Sequence, residues 1–306
     1  MRQLILLTIA AIVLANSCIH EEYDDCTINT PVAFTGNMAQ LQTRVGGSDG
    51  SEWEAGDPVG IYMIEAIPGT LSTPNVLTNN KRYLASAGKL ATFSPFDGIS
   101  IYYPNDGRAV KFVAYHPYSA ALIADFKLPI DLTNQNYQST IDVLYAPVTT
   151  ASYSNSATTA VPLTFEHKLV KLVILITNAV GITTPLSGGV TVSIPNQQRF
   201  GALDLTNGVV TPSGERGALM VTGTGSGSGD SVVTEFTIFP GSTTGISISL
   251  TNSAGQIFAA TVPHSSWDGG YIYTYNITLD VASAAITGAI TKWGNGGSYQ
   301  MDAENE

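Results

Sequence analysis

Tyr271-Ile272-Tyr273-Thr274-Tyr275-Asn276-Ile277-Thr278-Leu279 alternates between two kinds of side chain residue by residue. Successive side chains of an extended strand leave by opposite faces, so Tyr271, Tyr273, Tyr275, Ile277 and Leu279 share one face. The same reading extends outward to Val59-Gly60-Ile61-Tyr62-Met63-Ile64, Ala109-Val110-Lys111-Phe112-Val113-Ala114-Tyr115, Thr237-Ile238-Phe239 and Ile246-Ser247-Ile248-Ser249-Leu250. Each run is short, apolar on alternate positions and bounded by Gly, Pro, Asn or Asp, the mark of half-buried strands. Leu169 to Ile176 is nearly continuous in its hydrophobicity. A short buried helix would give the same run, but its β-branched content favours a central strand covered on both sides. The chain is therefore read as all-β. Strands this short and regularly punctuated fit two Greek-key sandwiches better than one large barrel.

Charged residues make up only 12% of the 306 residues, with a net charge of -11. That balance argues against nucleic acid or an anionic lipid surface as a partner. Cys18 and Cys26 are the only cysteines, so the body of the protein is held by burial and strand pairing rather than by disulfides. The uncharged Ser, Thr, Ala and Asn run from Thr149 to Ala160 reads as a domain seam. Gly223 to Ser231 reads as a flexible hairpin loop inside the second half.

The first residues read as an export signal. Arg2 is followed by an apolar run from Leu4 to Leu14, too short for the roughly 20 residues of a membrane-spanning helix. Ala15-Asn16-Ser17-Cys18 then offers a small residue before cysteine, as a lipoprotein signal peptidase requires, although Leu14 stands four residues before Cys18 rather than three. Cys18 is the expected lipidation site, and one lipid anchor holds a protein on a membrane without a spanning helix. The other reading is ordinary secretion, with Cys18 and Cys26 as disulfide partners. The acidic Glu21-Glu22-Tyr23-Asp24-Asp25 just beyond the cysteine suits display at the cell surface.

No catalytic constellation stands out. His20, His116, His167 and His264 are scattered, without a second histidine or cysteine at metal-ligand spacing. His116 and His167 read as strand-end or turn residues, and Asp57 in Gly56-Asp57-Pro58 as a turn residue before a strand. The sequence carries no nucleophile elbow, phosphate loop or dinucleotide fingerprint. No metal and no cofactor are expected, and the chain is not read as an enzyme. Twenty-four acids leave glycoside hydrolysis open on residue types alone, yet no pair is distinguished from its surroundings.

Several segments in order give the chain a family resemblance. They are Val32-Ala33-Phe34, Thr43-Arg44, Trp53-Glu54-Ala55-Gly56-Asp57-Pro58-Val59-Gly60-Ile61-Tyr62, Phe112 to Tyr118, Leu163 to Lys171, and Trp267 to Leu279. Together they resemble the fimbrillin family, the lipoprotein-derived pilins of type V pili. The resemblance implies two transthyretin-like β-sandwiches in tandem and a structural, adhesive role as a pilus subunit at the outer membrane and cell surface, then in the fimbrium. It also implies that an arginine-specific protease removes the lipidated N-terminal piece, a strand included, and that a strand from another pilin subunit fills the groove left behind. Arg44, the only Lys or Arg between Arg2 and Lys81, precedes the flexible Val45-Gly46-Gly47-Ser48-Asp49-Gly50-Ser51 and is the expected cut. Val32 and Phe34 alternate as plugs of the strand that would be lost. Ala285 to Thr291 reads either as the donor segment or as the last strand of the subunit's own second domain. The expected division is residues 1–17 as signal peptide, 18–43 as lipidated tether and propeptide strand, 44–157 and 158–293 as the two sandwiches, and 294–306 as a polar tail. The competing function is a monomeric surface lipoprotein that binds host or bacterial glycans, with Trp53, Trp267 or Tyr118 stacked on sugar rings, against the plainer reading of most such aromatics as core or strand-face packing.

Overall fold

A computed structural model describes residues 30–39, 52–122, 126–152, 159–178, 186, 189–223, 231–242, 246–252, 255, 257–262, 266–279, 284–292 and 295–301. The chain is all-β, with one four-residue helix, Gln138–Ile141, among the described residues, and the short 3-10 turn Thr73–Asn75.

The first unit is built from β1 (Phe34–Met38), β2 (Pro58–Glu65), β3 (Val76–Ala85), β4 (Leu90–Pro95), β5 (Val110–His116), β7 (Leu144–Ala151) and β8 (Val161–His167), while β6 (Lys127–Asp131) leaves it for the second unit. The seven strands close into a barrel in the order β1-β4-β3-β2-β5-β7-β8. The sequence reading put a sandwich here. The difference comes from β1, which pairs antiparallel with β4 and parallel with β8, joining the two ends of what is otherwise an open sheet. β7 and β8 flank the run at which the sequence suggests a seam, and both belong to this barrel. Its interior is filled by Phe34, Trp53, Ile61, Phe112, Leu163, Phe165 and their neighbours. β8 alternates strictly between buried and exposed positions.

The second unit stacks two sheets. One runs β11 (Val209–Gly223), β10 (Val190–Asp204), β14 (Ile246–Asn252), β15 (Ile257–Val262); the other runs β12 (Ser231–Ile238), β9 (Val170–Asn178), β17 (Tyr271–Leu279), β18 (Ala284–Lys292), β19 (Asn295–Met301). β13 (Gly241–Ser242) and β16 (Ser266–Trp267) form a small separate pair. Val170, Leu172, Ile174 and Ile176 of β9, with Tyr273, Tyr275, Ile277 and Leu279 of β17, face the core between the sheets. β9 is central, as expected, between β12 and β17. Its second face is only partly covered, since Val173 and Leu175 are half-buried. Residues 224–230, read from sequence as a hairpin loop, lie outside the described residues; the strands on either side, β11 and β12, pair with β10 and β9 in different sheets. Asn295–Met301, assigned from sequence to a polar tail, pairs with β18 as the edge strand β19 and thereby occupies hydrogen-bonding groups that β18 would otherwise expose.

The two units share a third core. Every residue from Val59 to Ile64 is buried, because β2 faces the barrel interior with one side and the second unit with the other. This corrects the half-buried reading of that segment. Tyr62, Ile64, Val113 and Tyr115 pack outward against Leu128 and Ile130 of β6, Leu203, Leu205 and Phe239. β6 pairs with the far end of β10, from Phe200 to Asp204. That end is reached past a bulge at Pro195 and Asn196, where proline costs the ladder no donor.

Candidate functional site

The strand that closes the barrel is the feature with functional content. Val32, Phe34 and Met38 point inward and are buried, while Thr35 and Asn37, one residue out of phase, lie on the outer face. Phe34 meets the rings of Tyr83 and Phe112 edge-on, at centroid distances of 5.4 and 5.0 Å. Burying a phenylalanine this fully contributes about 1.5–3 kcal/mol. Gly36 takes the remaining inward position under the Phe93 ring. A Cβ there would overlap Phe93 Cε2 and stand 3.2 Å from Phe165 Cε2, so the pattern is large, large, none, large.

Main-chain bonds hold the strand from end to end. Besides the β4 and β8 ladders, Val32 N donates to Ile101 O at 2.8 Å and Tyr103 N donates to Thr30 O at 3.1 Å. Val161 N donates to Ala33 O, and Ala39 N to Phe165 O, both at 2.8 Å. The Tyr83 hydroxyl accepts from Ile101 N at 2.8 Å and fixes the loop beside the strand; burial pushes its pKa up. No charged side chain faces this slot from β1, and the β4 and β8 residues lining it are Ala91, Phe93, Val161, Leu163 and Phe165. Such a site recognises an extended segment by backbone pairing and reads alternate side chains through pockets.

Past β1 the chain is fixed again at Trp53. This ring is buried, with Phe93, His116 and Phe165 edge-on around it at 5.4, 5.7 and 4.9 Å. Its main chain exchanges hydrogen bonds with Gly88. Arg44 lies between Ala39, the residue after β1, and this anchor, and it falls outside the described residues, as do Cys18 and Cys26. The sequence located the strand and its two plugs. It did not single out Gly36, Phe93, Phe165 or Tyr83; a glycine on the inward phase of Val32, Phe34 and Met38 was the available signal.

The remaining sequence candidates resolve as structure. Asp57 Oδ2 accepts from Glu54 N at 2.9 Å just before β2, the expected turn. His116 ends β5 with Nδ1 3.0 Å from Pro58 O. His167 ends β8 with Nδ1 3.0 Å from Asp142 Oδ2. Among the described residues no group of three or more His, Cys, Asp or Glu converges as for a metal ion, and no helix is long and apolar enough to cross a membrane. Trp53 and Trp267 are 2% and 3% exposed, so neither ring offers a face to a sugar. Tyr118 is half-buried beside the Arg82 guanidinium, which lies over the Phe96 ring.

Comparison with known proteins gives the class: the model of the fimbrillin-like family matches residues 43–293, and the chain belongs to that family. It is 29% identical over 296 residues to a Bacteroides uniformis protein described as "Putative fimbrium subunit Fim1C", covering 90% of this chain and 92% of that one. Among solved structures it is similar to a "putative cell adhesion protein" from Bacteroides uniformis, with a TM-score of 0.68 and 26% identity over 86% of this chain and 98% of that one. The fold is also that of a protein from Bacteroides ovatus at a TM-score of 0.69, with 20% identity over 87% and 98% of the two chains.

Proposed function

We propose that this chain is a pilus subunit exported as a lipoprotein, lipidated on Cys18 after loss of residues 1–17, and polymerised by strand exchange. Cutting after Arg44 would separate β1 from the rest of the molecule, and release of β1 would leave a slot between β4 and β8 for a strand of another subunit. The observation that carries this reading is the place of β1. It closes the barrel through its own backbone and buried side chains, and it precedes the only Lys or Arg between Arg2 and Lys81, beyond which Trp53 pins the chain. Loss of β1 therefore stops at Trp53. Without β1 the ring opens between β4 and β8, and on this reading the two units correspond to the family's tandem transthyretin-like sandwiches, with 18–43 as tether and removable strand. The role is structural and adhesive at the outer membrane and then in the fimbrium, with other pilin subunits as partners and no catalysis.

The test uses the mature chain with Cys18→Ser, treated with an arginine-specific protease. The new N-terminus is determined and assembly followed by light scattering. Val45 as the new first residue, followed by growth into fibres, is the expected result; a resistant Arg44, or a cut product that stays monomeric, rules out protease-triggered polymerisation.

A further inference from the structure

On the outer face of the barrel, beside the joint between the units, a cavity of about 280 Å³ opens to solvent. Its walls come from β2, from the 3-10 turn and β3, and from the stretch that leads into β6, through Tyr62, Thr73, Asn79, Asn80, Leu122 and Phe126. Two of the three non-glycine residues with positive φ among the described residues stand in this wall, Asn80 at 37° and Phe126 at 61°. Left-handed backbone is costly for such side chains and persists only where the surroundings impose it. Here they do: Asn80 Nδ2 donates to Ser119 O at 2.8 Å, and its Oδ1 accepts from the Tyr115 hydroxyl at 2.6 Å. Phe126 O accepts from Leu205 N at 3.0 Å, and the Phe126 ring stands edge-on to Tyr62 at 5.6 Å. The wall is therefore fixed before anything enters it.

The groups that the wall presents are uncommitted. Tyr62 is 2% exposed, yet its hydroxyl makes no hydrogen bond among the described residues, and neither do the side chains of Asn79 and Thr73. A polar group on an otherwise buried side chain carries a desolvation cost unless it finds a partner. Burial pushes this phenol up to about 12, so near neutral pH it is a protonated donor.

We propose that this cavity binds one neutral pyranose ring of a surface glycan. The Tyr62 and Thr73 hydroxyls and the Asn79 amide supply donors and acceptors for ring hydroxyls, while Phe126 and Leu122 supply apolar surface for the C–H face of the sugar. The volume lies near the lower end of small-molecule sites, about 300 Å³, and suits a single ring. A sugar acid would bring its carboxylate to described lining residues without a cation, on a chain of net charge -11. β1, β4 and β8 contribute no residue to the cavity, so the site is independent of the slot and of strand exchange.

The test uses the uncut mature chain with Cys18→Ser. Methyl glycosides of glucose, galactose, mannose, fucose, N-acetylglucosamine and N-acetylgalactosamine, and those of glucuronic acid and N-acetylneuraminic acid, are titrated into the millimolar range, with binding read by saturation-transfer NMR. The expected result is that at least one neutral glycoside binds and neither acid does. Tyr62→Phe, which removes one oxygen and leaves the ring packing in place, should weaken binding about three- to tenfold, the loss of one neutral hydrogen bond. Asn79→Ala, at an exposed position, should act in the same direction, and Ala120→Trp, at an exposed residue of the lining, should abolish binding. Absence of binding across the neutral set, equal or better binding of an acid, or binding left unchanged by both Tyr62→Phe and Ala120→Trp overturns the proposal and leaves strand exchange standing.

Discussion

A glycine inside a strand is ordinarily a weak point, since it adds no side chain to the packing and costs more chain entropy. At Gly36 the missing side chain is the fit itself, because Phe93 and Phe165 occupy the space. Gly36→Ala should therefore lower the stability of the uncut protein by about 1–3 kcal/mol, read as a reduced denaturant midpoint, while Thr35→Ala on the outer face should leave it nearly unchanged. Residue-level chemistry was legible in the sequence where it depended on neighbours along the chain, as with the aspartate of the turn before β2. Gly36 escaped because its meaning comes from Phe93, more than fifty positions away. The tryptophans are buried, in line with their reading as core packing and not as sugar platforms, but their partners Phe93, His116 and Phe165 were not foreseen.

At the level of elements, β12 has only β9 beside it within its sheet, and an open strand edge invites pairing with other chains. Two glutamines from the first unit cover it. Gln135, itself buried, donates through Nε2 to Thr237 O at 3.1 Å and to Leu132 O at 2.7 Å, and its Oε1 accepts from Thr237 N at 2.8 Å. Gln138 Nε2 donates to Glu235 O at 3.2 Å, and the Thr237 hydroxyl donates to Gln138 Oε1 at 2.6 Å. A side-chain amide here stands in for a neighbouring strand. Gln135→Leu would leave the Thr237 amide and carbonyl buried without these bonds and should cost about 2–3 kcal/mol, measured by chemical denaturation; Gln138→Leu, at a half-buried position, should cost less. Strand existence was legible from alternation, as β17 and β14 attest, whereas this edge cover was not, because glutamines in a polar stretch carry no periodic signal. Nor was the two-sided burial of β2, whose alternating glycine and tyrosine disguised a strand with two dry faces.

For the whole molecule, buried tyrosines set an upper limit on pH. Burial, with a smaller contribution from Tyr118, pushes the Tyr62 phenol up to about 12. Burial also raises Tyr83, Tyr115, Tyr145, Tyr273 and Tyr275. The folded chain holds these protons more tightly than the unfolded chain, whose phenols titrate near about 10. Their stabilising contribution is therefore complete below about pH 10 and is lost as pH rises through the folded values. The denaturant midpoint should stay level on the approach to about pH 10 and fall steeply toward about 12, with tyrosinate absorbance growing in step with unfolding. The all-β class could be inferred from composition and punctuation. Closure of the first unit could not, because it depends on a parallel pairing between β1 and β8, more than 120 residues apart, and no local pattern encodes such a partner.

The joint between the units bears on how the molecule would behave under load. β6 leaves one unit to lie along β10 of the other, and Tyr62, Val113, Ile130, Leu203 and Phe239 fill the space between them. Tension entering at the slot between β4 and β8 would reach the β9 and β17 sheet through packed side chains instead of a slack tether. A strand gripped on both sides and drawn along its own length must give up its hydrogen bonds together, so the subunit would resist flow as a stiff link, and a pull at one end would be felt at the other.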